Sequence, residues 1–228
     1  MVRPSSKRKH QAILAAAEQI FLRDGYVGAN MDDLAVLSQV SKQTVYKHFD
    51  SKEALFIELV HSMTTVAGNN VHDEVPDPAT LEELPDYLAT YAERQLSAVL
   101  NPRILQLRRL VIGEATRFPE LGEALWNSGP RRAMTSMAAR FNRLTDAGWL
   151  RVDDPDTAAS FFNWLVMSEP LNKAMLLGDR AIPAPDTLRR HCVEAARVFL
   201  CAYGSNDSTA QFTVRSKTRK GRPKPSPL

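Results

Sequence analysis

The 228-residue sequence predicts an all-α protein, with an N-terminal three-helix head of helix-turn-helix form followed by a larger helical body. Three observations carry that expectation. No long stretch alternates apolar and polar residues with a period of two, so the pattern of a half-buried strand is missing. Apolar residues recur three and four apart in segment after segment, as one face of a helix requires. Proline, glycine and helix-capping residues punctuate those segments, and no repeat of 20 to 50 residues points to a solenoid.

The first helix is read from Ile13, Ala16, Ala17, Ile20 and Phe21, with Gly25 as its stop. Asn30 is placed to cap a short second helix, with Asp32 and Asp33 at its positive end and Met31, Leu34 and Ala35 facing inward. Ser41 caps a third helix that turns Val45 and Phe49 inward, and Ser51 caps a fourth carrying Leu55, Phe56, Leu59 and Val60. Val75-Pro-Asp-Pro78 closes that region. Helices are then expected over about 80–100 and 102–117, the latter running up to Phe118-Pro119. Gly129-Pro130 is read as a stop followed by a start, giving a helix to about Gly148. Asp154-Pro155 opens a strongly apolar helix that Pro170 should kink, and a last helix carries Leu188, Cys192, Ala196, Phe199 and Tyr203 up to Gly204. The resulting division is a helix-turn-helix head over 1–50, a helical body over 51–204 and a basic, Ser/Pro-rich tail over 205–228, which is expected to lack order.

The net charge of +3 is unevenly spread. Residues 1–52 carry eight Lys/Arg against five Asp/Glu, residues 53–204 fifteen against twenty, and residues 205–228 six against one. Basic ends on an acidic body suit a molecule that offers its ends to a polyanion, since phosphate neutralisation is the main sequence-independent term in DNA affinity. Two cysteines nine residues apart, Cys192 and Cys201, fall on opposite sides of one helix and imply no disulfide framework. The polar, basic N-terminus and the lack of an 18-residue apolar run lead to the expectation of a cytoplasmic protein, neither secreted nor membrane-inserted.

On the third helix, with Val45 and Phe49 inward, the outward residues are Lys42, Gln43, Thr44, Tyr46, Lys47 and His48. Gln can pair with adenine edges, Lys with guanine O6/N7, and the hydroxyl and basic groups with phosphate oxygens. The bland alternative is a solvated helix face. Asn30-Met-Asp-Asp-Leu-Ala35, Val40-Ser-Lys-Gln-Thr-Val-Tyr-Lys-His-Phe49 and Ser51-Lys-Glu-Ala-Leu55 together resemble the head of the TetR (tetracycline repressor-like) family. The resemblance implies that Thr44, Tyr46, His48 and Lys52 are DNA contacts common in the family, while Lys42, Gln43 and Lys47 vary with the operator. It also marks a departure: Ser38-Gln39 stands in the turn where the family often has Ala-Gly.

The body is similar to AefR-like C-terminal domains around Leu110–Gly122 and Gly148–Pro155, which implies ligand sensing and dimerisation. Tyr87, Tyr91, Leu107, Phe118, Trp126, Met134, Met137, Phe141, Phe162 and Met167 could line an apolar pocket or simply fill the core. Arg108, Glu114, Asn163 and Glu169 are the polar groups that could orient a ligand or lie on the surface. Cys192 and Cys201 fall near the expected dimer interface, as packing residues or as redox sensors. In the tail, Lys220, Gly221, Arg222, Pro223 and Lys224 are similar to the core of an AT-hook, against the plainer reading of a solubilising basic tail.

An enzyme is not expected. There is no Gly-rich phosphate loop, no GxSxG, and the five histidines have no metal-ligand spacing, so neither metal nor cofactor is implied. The function expected is a ligand-responsive transcriptional regulator, a homodimer that binds a palindromic operator in double-stranded DNA as a repressor and is released by a small apolar or amphipathic effector. An activator, or an architectural DNA-binding protein using the tail, is the alternative. The fourth helix is expected to carry the movement, as the covalent link from body to head.

Overall fold

The computed structural model describes residues 4–72 and 76–205. Ten α-helices form among them: α1 (Pro4–Gly28), α2 (Met31–Leu37), α3 (Lys42–His48), α4 (Lys52–His72), α5 (Leu84–Val99), α6 (Pro102–Glu114), α7 (Pro119–Trp126), α8 (Arg132–Asp146), α9 (Pro155–Leu177) and α10 (Pro185–Tyr203). The only extended pairing among the described residues is one antiparallel bridge, Leu150 to Gly204. No described helix is long and apolar enough to cross a membrane.

The local signals act where they stand. Asn30 accepts from the Asp32 amide (2.8 Å), Ser41 Oγ from the Thr44 amide (3.1 Å) and Ser51 Oγ from the Ala54 amide (3.0 Å), each satisfying a donor that the first turn leaves unpaired. Asp154 does the same for the amides of Asp156 and Thr157, with Pro155 at the first helical position. Gly25 breaks α1 at φ 77°, a left-handed conformation that costs glycine least, and one further turn follows. In α9 the helical backbone is interrupted at Ser168, just ahead of Pro170, whose ring and missing N–H disturb the turn before it.

Two expectations are corrected. Residues 119–126 form a helix that was not anticipated: Pro119 opens α7 at its first turn, where a missing N–H costs nothing, and α6 ends at Glu114 rather than near 117. Gly129-Pro130 does not separate helices. Residues Asn127–Arg131 form a π-helical turn that carries α7 directly into α8, its wider winding accommodating the proline that an α-turn would reject.

The chain forms two compact units, 1–69 with 99–132, and 70–98 with 133–228. The head expected over 1–50 thus lies within a larger unit that also takes in most of α4, with α6 and α7. The chain passes between units three times, so α4 is not the only covalent link. In the first unit Ile13, Ala17, Ile20, Phe21, Leu34, Val45, Phe49, Leu55, Phe56 and Leu59 share one core with Leu107, Val111, Leu121 and Leu125. Tyr26 stands edge-on to Phe56 (5.2 Å between centroids) and Phe118 (4.8 Å), Gln106 Nε2 donates to the Leu22 carbonyl (2.7 Å), and Arg103 pairs with Glu18. The second unit is centred on stacked and edge-on rings, with Phe141 to Phe199 at 4.7 Å and Phe162 to Phe199 at 5.1 Å.

Candidate nucleic-acid interface

α2 and α3 are joined by Ser38–Ser41, a turn in which Ser38 Oγ donates to the Leu34 carbonyl (2.7 Å) and Gln39 takes φ 56°. That φ is left-handed, and it explains why glycine suits this position. Val45 is completely buried and Phe49 nearly so, which fixes the rotation of α3 about its axis. The opposite face carries Lys42, Gln43, Tyr46 and Lys47, all exposed, with Tyr46 open to 39%. A seven-residue helix locked on one side and bearing two lysines, a glutamine and a tyrosine on the other can present base- and phosphate-binding groups without a cost in core packing.

The remaining expected contacts stand differently. Lys42 Nζ pairs with Asp32 at 3.0 Å, so DNA must displace a carboxylate to engage it. That contact holds the Lys42 amine above its ordinary range. Thr44 is half-buried and its hydroxyl shares a 2.8 Å hydrogen bond with Ser41 Oγ. His48 is half-buried too, its ring 5.9 Å from that of His10. Lys52 is engaged with the end of α1: Nζ donates to the carbonyls of Val27 (3.0 Å) and Ala29 (2.7 Å) and lies over the Tyr26 ring at 5.3 Å. Burial lowers its pKa. Lys52 therefore satisfies the loose carbonyls at the end of α1 and ties α4 to it.

One participant was not anticipated. His10 on α1 stacks on Phe49 (4.7 Å) and shares a 2.6 Å hydrogen bond with Glu58 of α4, so the first turns of α1 are held beside the end of α3. Lys7, Arg8 and Lys9 next to it are exposed and extend the basic surface. The basic N-terminal run was visible in the sequence; its position beside α3 was not.

The pocket candidates fall into separate groups. Leu107 belongs to the first unit's core and half-buried Phe118 packs against it, while Trp126, on the same unit, is 45% exposed. Tyr87, Tyr91, Met137, Phe141, Phe162 and Met167 are buried in the second unit and Met134 is half-buried there. Of the polar candidates, Asn163 is buried and accepts from Gln95 Nε2 (2.9 Å), and Glu169 is exposed and paired with Lys173. Arg108 and Glu114 are half-buried on α6, and desolvation lowers the Arg108 pKa. Cys192 is buried, which pushes its thiol up to about 12, and Cys201 is exposed. The AT-hook-like residues Lys220 to Lys224 lie outside the described residues.

Comparison with known proteins agrees with this geometry. Residues 13–59 match the family profile of bacterial regulatory proteins of the tetR family, and residues 86–205 match the AefR-like transcriptional repressor C-terminal domain. A TetR-family transcriptional regulator from Mesorhizobium loti superposes with a TM-score of 0.80 at 34% identity, over 90% of this chain and 100% of that one. The flavonoid-responsive regulator FrrA does so with a TM-score of 0.75 at 28% identity, over 88% and 99%. The transcriptional repressor NicS of Pseudomonas putida is 28% identical over 123 residues, 47% of this chain and 58% of the relative. The chain spans about half the length of the curated relatives it matches. With both domain profiles matched in order and a solved family member covered from end to end, the chain belongs to the TetR family of helix-turn-helix, DNA-binding transcriptional regulators and carries an AefR-like C-terminal domain.

Proposed function

We propose that the protein is a homodimeric repressor that binds a palindromic operator and is released by a small apolar or amphipathic effector. The observation that carries this reading is the outward face of α3, where Lys42, Gln43, Tyr46 and Lys47 project from a helix fixed by buried Val45. A dimer is supported by apolar side chains left open on α9 and α10: Phe161 (56% exposed), Trp164 and Val198. A two-fold axis through such a surface would set two α3 helices about one DNA turn apart, and the effector would favour a spacing that no longer matches successive major grooves. The second unit offers buried aromatic and methionine side chains on α5, α8 and α9 as an effector-binding core, and the naming of FrrA as flavonoid-responsive supports an effector of small planar type. Repression is in line with the AefR-like and NicS descriptions.

The test is operator binding by fluorescence anisotropy on the DNA upstream of the protein's own gene. Tyr46→Ala should weaken binding at least ten-fold and leave the melting temperature unchanged, because Tyr46 packs no core. Normal binding by that variant would overturn the assignment of α3 to the groove. A promoter–reporter assay then separates repression, seen as loss of output, from activation. The tail adds a second expectation from its six cations against one acid. Truncation after Ser205 should reduce the slope of log affinity against log salt by about 0.9 for each phosphate that the tail neutralises, and an unchanged slope would remove the tail from the interface.

A further inference from the structure

Within the second unit, two arginines of α8 and one tyrosine of α5 converge on the Asp77 carboxylate. Arg140 Nη1 donates to Asp77 Oδ1 (2.8 Å) and to the Tyr87 hydroxyl (3.1 Å), and that hydroxyl donates to the same carboxylate at 3.3 Å. Arg143 Nε donates to the other oxygen, Oδ2, at 2.7 Å. The Arg140 guanidinium lies 5.8 Å over the ring of Tyr91, which is fully buried. Only 12% of the Arg140 side chain is exposed, against 36% of Asp77. The niche is therefore a nearly enclosed guanidinium on an aromatic floor, with a second guanidinium at its rim.

The four residues that build this niche stand on α5 and α8, whereas its occupant comes from the short non-helical stretch 76–80. Partial burial pushes the Asp77 acid up. Hydrogen bonds and charge from Arg143 and Arg140 outweigh this and hold it below the usual carboxylate range, so the occupant is an anion at neutral pH. Two guanidinium forks aimed at separate oxygens fit any carboxylate, and the aromatic floor favours one borne on a planar body.

We infer that this niche is an anion subsite for the effector, with Asp77 as its built-in occupant, and that a small organic carboxylate enters by displacing Asp77 from Arg140 and Arg143. The inference rests on the reading of the protein as an effector-responsive regulator. It sharpens the expected effector from an amphipathic molecule to an ionised acid, and it gives Asp77 the role of a competitor that holds the effector-free state.

Benzoate, its neutral isostere benzamide and ringless acetate serve as probes, titrated calorimetrically into the full-length protein and into Asp77→Ala and Asp77→Asn. Either variant, once shown to be folded by its melting curve, should bind benzoate at least ten-fold more tightly than the unaltered protein. Benzamide should not bind, and acetate should bind more weakly than benzoate. Adding Arg140→Met to Asp77→Ala should abolish benzoate binding, and Arg140→Lys should restore part of it. Equal benzoate affinity with and without Asp77, or equal affinity for benzoate and benzamide, overturns the inference. So does failure of both variants to fold, which would make Asp77 a structural clamp. Operator binding by the unaltered protein without probes, measured in parallel, tests the regulator reading separately, so that either can fail alone.

Discussion

Gln39 is the residue at which sequence and backbone disagree. Its φ of 56° puts a side chain into a conformation that costs most L-residues roughly 1–2 kcal/mol. Gln39→Gly should relieve that strain, less what glycine loses in unfolded-state entropy, for a net gain of about 0.5–1 kcal/mol in urea unfolding. A loss of stability would show that the Gln39 side chain makes a compensating contact. The capping residues Asn30, Ser41, Ser51 and Asp154 were legible because a cap is decided within three residues of chain. Lys52 was not. Its partners, the carbonyls of Val27 and Ala29, lie 25 and 23 residues away, and only folding brings them within reach. Lys52→Met should therefore lower the stability of the head by about 1 kcal/mol, with little change in the salt dependence of operator binding. A salt slope reduced by the equivalent of one full phosphate would restore Lys52 to the DNA interface.

At the level of elements, helix identity followed from periodicity, and the joints between helices were where it failed. A proline after glycine reads equally as a break or as the start of a new helix; the π-helical turn at Asn127–Arg131 is a third solution, available because one wider turn absorbs the missing donor. The short α7 is hidden in the sequence because Phe118-Pro119 reads as an end, although Pro119 also serves as a beginning. Its packing matters more than its length, since Phe118, between α6 and α7, stands against Tyr26 at the end of α1. Phe118→Ala should cost about 2 kcal/mol, below the range for a fully buried phenylalanine because Phe118 is only half-buried, and Phe118→Leu should recover most of it. Guanidinium unfolding of the two variants checks this, and an unaffected alanine variant would show that α6–α7 and α1 are not energetically joined there.

At the scale of the molecule, the units do not follow chain order. α6 and α7 come after α5 in sequence yet share a core with α1 to α4, so a signal has three covalent crossings available besides the packing within each unit. The open apolar residues of α9 and α10 belong to this scale as well. If the proposed dimer forms through this surface, Phe161→Glu combined with Trp164→Glu should convert it to a monomer at micromolar concentration by light scattering, with operator affinity falling sharply. A dimeric mass for the double variant would move the interface elsewhere.

Taken alone, the order of residues determined the all-helical class, the caps, the kink before Pro170, and the face of α3 that carries Lys42, Gln43, Tyr46 and Lys47, because each depends on neighbours a few residues apart. Tertiary structure decided what long-range packing controls. It gave Lys52 to the end of α1, set His10 beside His48, placed Leu107 in the core of the first unit with Phe118 packed against it, and joined Asp77 to two arginines more than sixty residues away. A long side chain carries its charge in the sequence but not its partner, and the partner is chosen only when helices distant in the chain are brought together.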